Sequence, residues 1–409
     1  MRFLLPQRSL PRFLRTWGRQ CPLSGVRCSN LLARPILYRT NSTLTDTPIA
    51  SETYTPNVSD YKSAEYIGET GRTYQIEEII LIEDSPFRRV FFASSEEGDR
   101  VLVKYIEPEA FENHLDVNDR LWALASHVRL AKDLIPGTFM FVYELCDSSF
   151  SQIIRDTDPS PRLIKRILKS VLSILAEFHD RDILHGVMMA STIFVNWNKT
   201  KYKSTIDKVK LGLSKHTTYI RPGSNIVDKL IGTQQWRSPE ACAMGPVNKP
   251  SDIFSFALLC IYAVKRRHTL NEALIEDTST EDLEGTGASI SVLERQMSYF
   301  ADKEGLRGFL NYLGKDHPLV PVIELAREGF NVDRPREPFS RWEGLDEDFR
   351  DLILSMTNFD PTKRITARQA LEHRWFQGVE VFRPDFHSGN QEFQPSRHIS
   401  SRLVSEIDR

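Results

Sequence analysis

The stretch RLIKRILKSVLSILAEFHD, Arg162 to Asp180, places apolar residues at 163, 164, 167, 168, 171, 172, 174 and 175. That recurrence gathers them on one stripe of an α-helix, and a stripe so wide must be covered by other apolar surface. The chain before it follows another period. TYQIEEIILIED from Thr73, RRVFFAS from Arg88, GDRVLVKYIE from Gly98 and FMFVYELC from Phe139 are rich in β-branched and aromatic residues, which reads as strands. Ser85-Pro86 parts the first two as a hairpin, and Gly98-Asp99 leads into the third. A helix is expected over about 109–126. Beyond 148 the pattern turns helical, with short strands near 193–195 and 209–211, a buried helix at 252–264, an acidic loop near 276–288 and helices on to Phe376. The expected class is α+β with two lobes: a small β-rich lobe at 74–147 and a larger helical lobe at 148–377. The longest apolar run, Phe254 to Val264, is too short to cross a membrane.

Charge is unevenly placed. Residues 1–45 hold eight Arg, no Lys, and no acid before Asp46. Removing those eight from the 53 basic residues leaves 45 against 55 acids, a net of −10. An Arg-rich, acid-free, Ser-bearing start with apolar residues interspersed is the composition of a mitochondrial transit peptide. After Pro11, residues 12–17 suit a short amphipathic turn. Cleavage is expected between about 34 and 45. The competing reading is a basic tail for nucleic acid or anionic lipid; the absence of Lys and the abrupt end of the bias favour targeting. The acidic remainder argues against nucleic acid as a partner. Residues 46–73 read as a polar linker, and 378–409 as a polar, mobile tail. Cysteines at 21, 28, 146, 242 and 260 show no metal-ligand spacing, so they read as reduced structural thiols, with no metal site.

Several separated motifs occur in one order. VLVK ends in Lys104, and ILHGVMMASTIFV spans Ile183 to Val195. WRSPEA holds Ser238, Pro239 and Glu240. NKPSDIFSFALLCIYAV contains Asp252, and MTNFDPTKRITARQALEHRWF contains Arg364. Together, over about 74–377, they resemble the protein kinase superfamily. The LxGxxxWRSPEA segment looks closest to fungal kinase-like proteins. The resemblance implies a two-lobe fold with a nucleotide cleft between the lobes. It implies Lys104 as a phosphate contact, His185 as a packing residue, Asp252 as the prop of the catalytic loop, and Glu240 paired with Arg364. Strand periodicity puts Lys104 on one face with Leu102 and Ile106; alone, it could equally be a lysine snorkelling from a strand edge.

Phosphoryl transfer in a kinase needs a glycine-rich loop, a Lys held by a helix carboxylate, an Asp that positions the hydroxyl, and Asn and Asp ligands for magnesium. Glu83 to Val90 contains no glycine. Helix candidates to hold Lys104 are Glu112, Asp116 and Asp119. Aligned on His185, the catalytic loop has Gly186 for Arg, Val187 for Asp, Met189 for Lys and Thr192 for Asn. Leu213 stands at the metal-binding Asp. Shifting the register to Asp182 does not help, because the residue five further on is Val187. The chemistry-bearing positions are lost together while Asp252, Glu240 and Arg364 remain. The expected function is therefore a mitochondrial pseudokinase acting as a binding or scaffold module for a protein partner, with no established cofactor and ATP without magnesium left open. The alternative is a divergent ATP-dependent Ser/Thr kinase or another nucleotide-using transferase. A third reading is a purely structural subunit that makes contacts through the acidic loop and the tail.

Overall fold

Six antiparallel strands carry the first lobe in the computed structural model, which describes residues 65–82, 89–199, 204–265 and 286–382. The elements are β1 (Glu65–Ile67), β2 (Thr73–Ile82), β3 (Arg89–Ser95), β4 (Arg100–Tyr105), α1 (Pro108–Arg120), β5 (Val128–Arg129), β6 (Asp133–Ile135) and β7 (Met140–Glu144). The sheet order is β1-β2-β3-β4-β7-β6. Directly paired residues share a face. Val103 opposite Val142 therefore joins Phe91, Ala93 and Val101 in one apolar layer. Phe141, opposite Lys104, lies with Tyr143 on the other face, packed with Ile106 and with Phe111 of α1. The expected helix over 109–126 is shorter: α1 ends at Arg120, and a turn at Trp122–Leu124 follows.

Strand pairing starts earlier than the polar composition of 46–73 suggested. Tyr66 of β1 pairs with Tyr74 of β2. The turn between them is fastened from 63 residues away. The buried carboxylate of Asp133 accepts from the Thr70 amide at 3.2 Å, the Tyr74 hydroxyl at 2.8 Å, and the Thr70 hydroxyl. Each such bond to a buried charge adds more than a neutral one would.

The second lobe contains β8 (Ser148–Ser149), α2 (Phe150–Asp156), α3 (Pro161–Asp180), β9 (Ile183–Leu184), β10 (Ile193–Lys199), β11 (Ser204–Gly212), β12 (Thr218–Tyr219), α4 (Pro239–Cys242) and α5 (Lys249–Lys265). It continues with α6 (Thr286–Phe300), α7 (Lys303–Leu313), α8 (Val320–Glu328), α9 (Glu347–Met356) and α10 (Ala367–Glu372). Helix α3 starts where the Ser160 hydroxyl accepts the Leu163 amide and Pro161 fills the first helical position. Ile167, Leu168, Val171 and Leu175 of its stripe are fully buried, and Leu163 at its start is half-buried. Residues 251–261 of α5 are buried all round, as expected of a helix without a polar face. A small sheet ordered β5-β11-β10-β8 lies between these helices and the first lobe, with β5 parallel to β11.

The tail is not free from 378 onward. The Phe382 amide donates to Ser170 Oγ at 3.0 Å, and Lys169 Nζ donates to the carbonyls of Phe376 and Val379. The Arg166 guanidinium lies 3.8 Å over the Phe382 ring. Polar composition hid this, because a single aromatic residue is enough to anchor a strap. The 1–45 segment, the glycine-free turn at 83–88, the acidic stretch 276–285 and residues 383–409 lie outside the described residues. Among the described residues, no helix is long and apolar enough to cross a membrane.

Candidate functional site

Asp252, in the first turn of α5, organises the loop after β9. Its two oxygens accept the amides of His185 and Gly186, each at 2.8 Å, and His179 Nε2 lies 3.1 Å from Oδ2. His185 is fully buried. Its Nε2 donates to the Gly212 carbonyl at 2.8 Å, and Nδ1 accepts from the Val187 amide at 3.3 Å. Both ring nitrogens are thus engaged in a neutral tautomer. Burial depresses the imidazole pKa and outweighs the opposing pull of Asp252. Gly186 is needed for two reasons. Its φ is +77°, and a Cβ there would sit 2.8 Å from His216 Cβ.

The three positions expected to carry chemistry are brought to this loop. Val187 is buried and offers only an alkyl group. Thr192 turns its hydroxyl back on its own loop, donating to the Met189 carbonyl at 2.8 Å and the Val187 carbonyl at 3.3 Å. Leu213 is half-buried against the core of the second lobe. The residues after it close a tight turn: Thr217 Oγ1 donates to the His185 carbonyl at 2.9 Å and accepts the Ser214 amide at 3.0 Å. Asn113 of α1 reaches over to the Thr217 carbonyl and the Thr218 hydroxyl. Helix α1 is therefore docked to this segment. Among the described residues, no three or more His, Cys, Asp or Glu side chains converge as a metal cluster.

Lys104 sits on the sheet face that receives α1, as the strand period implied. The helix does not present it a carboxylate. The buried residues of α1 are Phe111, His114, Val117 and Asn118, so Glu112 and Asp116 fall on the exposed side. Asp116 pairs with Arg120 at 2.7 Å, and none of Glu112, Asp116 or Asp119 bonds Lys104. In their place His114 faces inward and contacts the Tyr143 hydroxyl. Burial, with Lys104 nearby, pushes its pKa down to about 3, so it stays neutral and brings no countercharge to the ammonium. The Lys104 pKa is itself lowered, first by burial and then by Arg129, against an opposing contribution from Glu107.

Arg129 is the site residue that sequence reading missed. From the end of β5 its Nε and Nη2 both donate to the Glu144 carbonyl, at 3.1 and 2.6 Å. The guanidinium lies 4.3 Å over the Phe194 ring and 5.5 Å from that of Tyr143. Phe194 approaches closely because residue 212 is glycine; a Cβ there would meet the ring at 2.5 Å. Lys210 Nζ lies 2.5 Å from the Glu144 carboxylate. The only sequence signal was an Arg between Val128 and Leu130 in a short apolar run, where an aliphatic residue would be expected.

The scaffold pair is formed. Arg364 donates bidentately to Glu240, at 2.6 and 2.8 Å, with side chains 0% and 1% exposed. Its remaining donors reach the Pro250 carbonyl at 3.0 Å and the Asn358 carbonyl at 2.8 Å, and its plane lies over Phe254. All charge in the pair is thus partnered.

The chain resembles several curated proteins at low identity. It is 24% identical over 279 residues to serine/threonine-protein kinase srb10 of Schizosaccharomyces pombe, covering 64% of this chain and 70% of that one. It is 26% identical over 311 residues to mitogen-activated protein kinase 14 of Arabidopsis thaliana, covering 70% of this chain and 74% of that one. A shorter match, 34% identical over 67 residues, links 16% of this chain to 7% of a putative ribosomal protein S6 kinase alpha-1 of Caenorhabditis elegans. The model of the protein kinase domain matches residues 127–376, more than half of the chain. That match covers the loop propped by Asp252 and the buried Glu240–Arg364 pair, and with the two-lobe fold it places this chain in the protein kinase family.

Proposed function

We propose that this kinase-family protein is a pseudokinase: a binding or scaffold module that does not transfer phosphate. The observation that carries the reading is the state of Thr192. Its hydroxyl, the one oxygen-bearing side chain among the three degenerate positions, donates into its own loop and not toward the cleft. Val187 and Leu213 offer no oxygen at all, and magnesium requires hard oxygen ligands. The residues present do not fit ATP-magnesium. Loss of both metal ligands removes most of the charge stabilisation that phosphoryl transfer depends on. Without magnesium, Lys104 is the group that would contact a nucleotide phosphate.

Two measurements test this on the purified protein: thermal shift with ATP, with and without magnesium, and transfer of radiolabelled phosphate to a general protein substrate. No incorporation above a Lys104→Ala control is expected. Incorporation that the control abolishes would establish the alternative, a divergent ATP-dependent Ser/Thr kinase or other nucleotide-using transferase. The retained Lys104 and the Ser/Thr kinases among the relatives favour that second reading.

The site of action is proposed to be the mitochondrion, on the strength of the acid-free, Arg-rich residues 1–45. Fused to a fluorescent reporter, they should carry it into mitochondria; a cytosolic reporter would end the proposal.

A further inference from the structure

Helices α7 and α8 enclose a groove of about 520 Å³ on the second lobe, floored by Leu306, Leu310, Val320 and Phe330. Its rim is cationic. Lys303 and Arg307 from α7, Lys315 from the following turn, and Arg327 from α8 are all exposed and line it. Lys303 and Arg307, and likewise Leu306 and Leu310, stand four residues apart, so one helical face presents a charged row beside an apolar row. Opposing charge is sparse. Of the lining carboxylates, Asp302 caps the Gly305 amide at 2.6 Å and Glu324 stands alone. Arg327 has Glu328 at 3.8 Å. Among the described residues, no carboxylate lies within ion-pair distance of Lys303, Arg307 or Lys315. The far wall is fixed by Arg336, whose Nη2 donates to the carbonyls of Met297 and Ala301 at the end of α6, while its buried Nε has no partner.

We propose that this groove docks an acidic amphipathic helix of a protein partner. Apolar side chains at i, i+3, i+4 and i+7 would enter between α7 and α8, and flanking carboxylates would meet the four rim cations. Charge complementarity selects the partner's sign, and the apolar floor selects its shape. The proposal rests on the scaffold reading for its purpose, by giving the partner's chemistry. Its test uses no nucleotide, so a positive phosphate-transfer result would overturn the non-catalytic reading and leave this one standing.

The probe is a synthetic fluorescent helix with Leu on one face and Glu on the rest, alongside its counterpart with Lys in place of Glu. Both are titrated against the full-length protein by anisotropy. The Glu helix should bind, and Arg307→Glu with Arg327→Glu should weaken it by about tenfold or more while the melting temperature stays unchanged. Equal binding of the Lys helix, or undiminished binding to the double variant, would overturn the proposal. Binding of dodecyl phosphate without binding of the Glu helix would assign the groove to a small anionic amphiphile. Self-association in sedimentation velocity, lost in the double variant, would assign it to a second copy of the chain. Either result would also overturn it.

Discussion

Replacing Glu240 by Ala should cost more stability than almost any other single change on this chain. The Arg364 guanidinium is fully buried and bonds both carboxylate oxygens. Removing one member of a buried pair leaves an uncompensated charge, typically at a cost of about 3–5 kcal/mol. Arg364 would keep the Asn358 and Pro250 carbonyls and its contact over Phe254. That residual solvation places the expected loss near the lower end, about 3 kcal/mol, or roughly 6 °C in melting temperature for a domain of this size. Urea unfolding followed by tryptophan fluorescence measures it directly. Glu240→Met with Arg364→Met should lose less than Glu240→Ala alone, because no charge is then stranded. If Glu240→Ala loses under about 1 kcal/mol, the pair is not acting as a buried one and the reasoning fails.

Three further outcomes are expected. Gly186→Ala should destabilise by about 2 kcal/mol or more, since its φ of +77° and the 2.8 Å approach of His216 both exclude a side chain; an unchanged unfolding midpoint would contradict the loop geometry. His114 has a folded pKa of about 3, below its unfolded value near 6.5. The unfolded chain therefore takes up a proton that the folded chain refuses. The stability contributed by neutral His114 is present above pH 6.5 and declines as pH falls toward 3. His114→Phe should flatten that decline by about 1.4 kcal/mol per pH unit, read from urea midpoints across pH 3.5–6.5. Phe382→Ala should raise hydrogen exchange at residues 378–382 and lower stability by about 3 kcal/mol; unaltered exchange would mean that the strap is held by Lys169 alone.

The parts of this fold that were legible in the sequence are those whose signal is local. The α3 stripe and the all-apolar α5 announce their own burial. Asp252, Glu240 and Arg364 sit in contiguous motifs, and their partners are where those motifs imply. What escaped was set by distant residues. Strand β1 is only three residues long and depends on a turn held by Asp133, far along the chain. Sequence spacing leaves Glu112, Asp116 and Asp119 open as partners of Lys104, because the phase of α1 is set by packing; Phe111 and Val117 fix that phase and turn Glu112 and Asp116 outward. Arg129 escaped because a lone cation in an apolar run carries no motif. Its meaning comes only from Phe194 and the Glu144 carbonyl, which the chain delivers from two other strands.

The same arginine has a mechanical consequence. Arg129 belongs to a strand paired with β11, while Glu144 ends a strand of the first-lobe sheet. Within the first lobe two hydrogen bonds from Arg129 hold the Glu144 carbonyl, and the ion pair from Lys210 of β11 ties the same residue to the second lobe. A kinase that turns over must let its lobes swing around the ligand. A contact at this residue opposes that swing, and a conformation already held leaves less ordering entropy to be lost when anything binds.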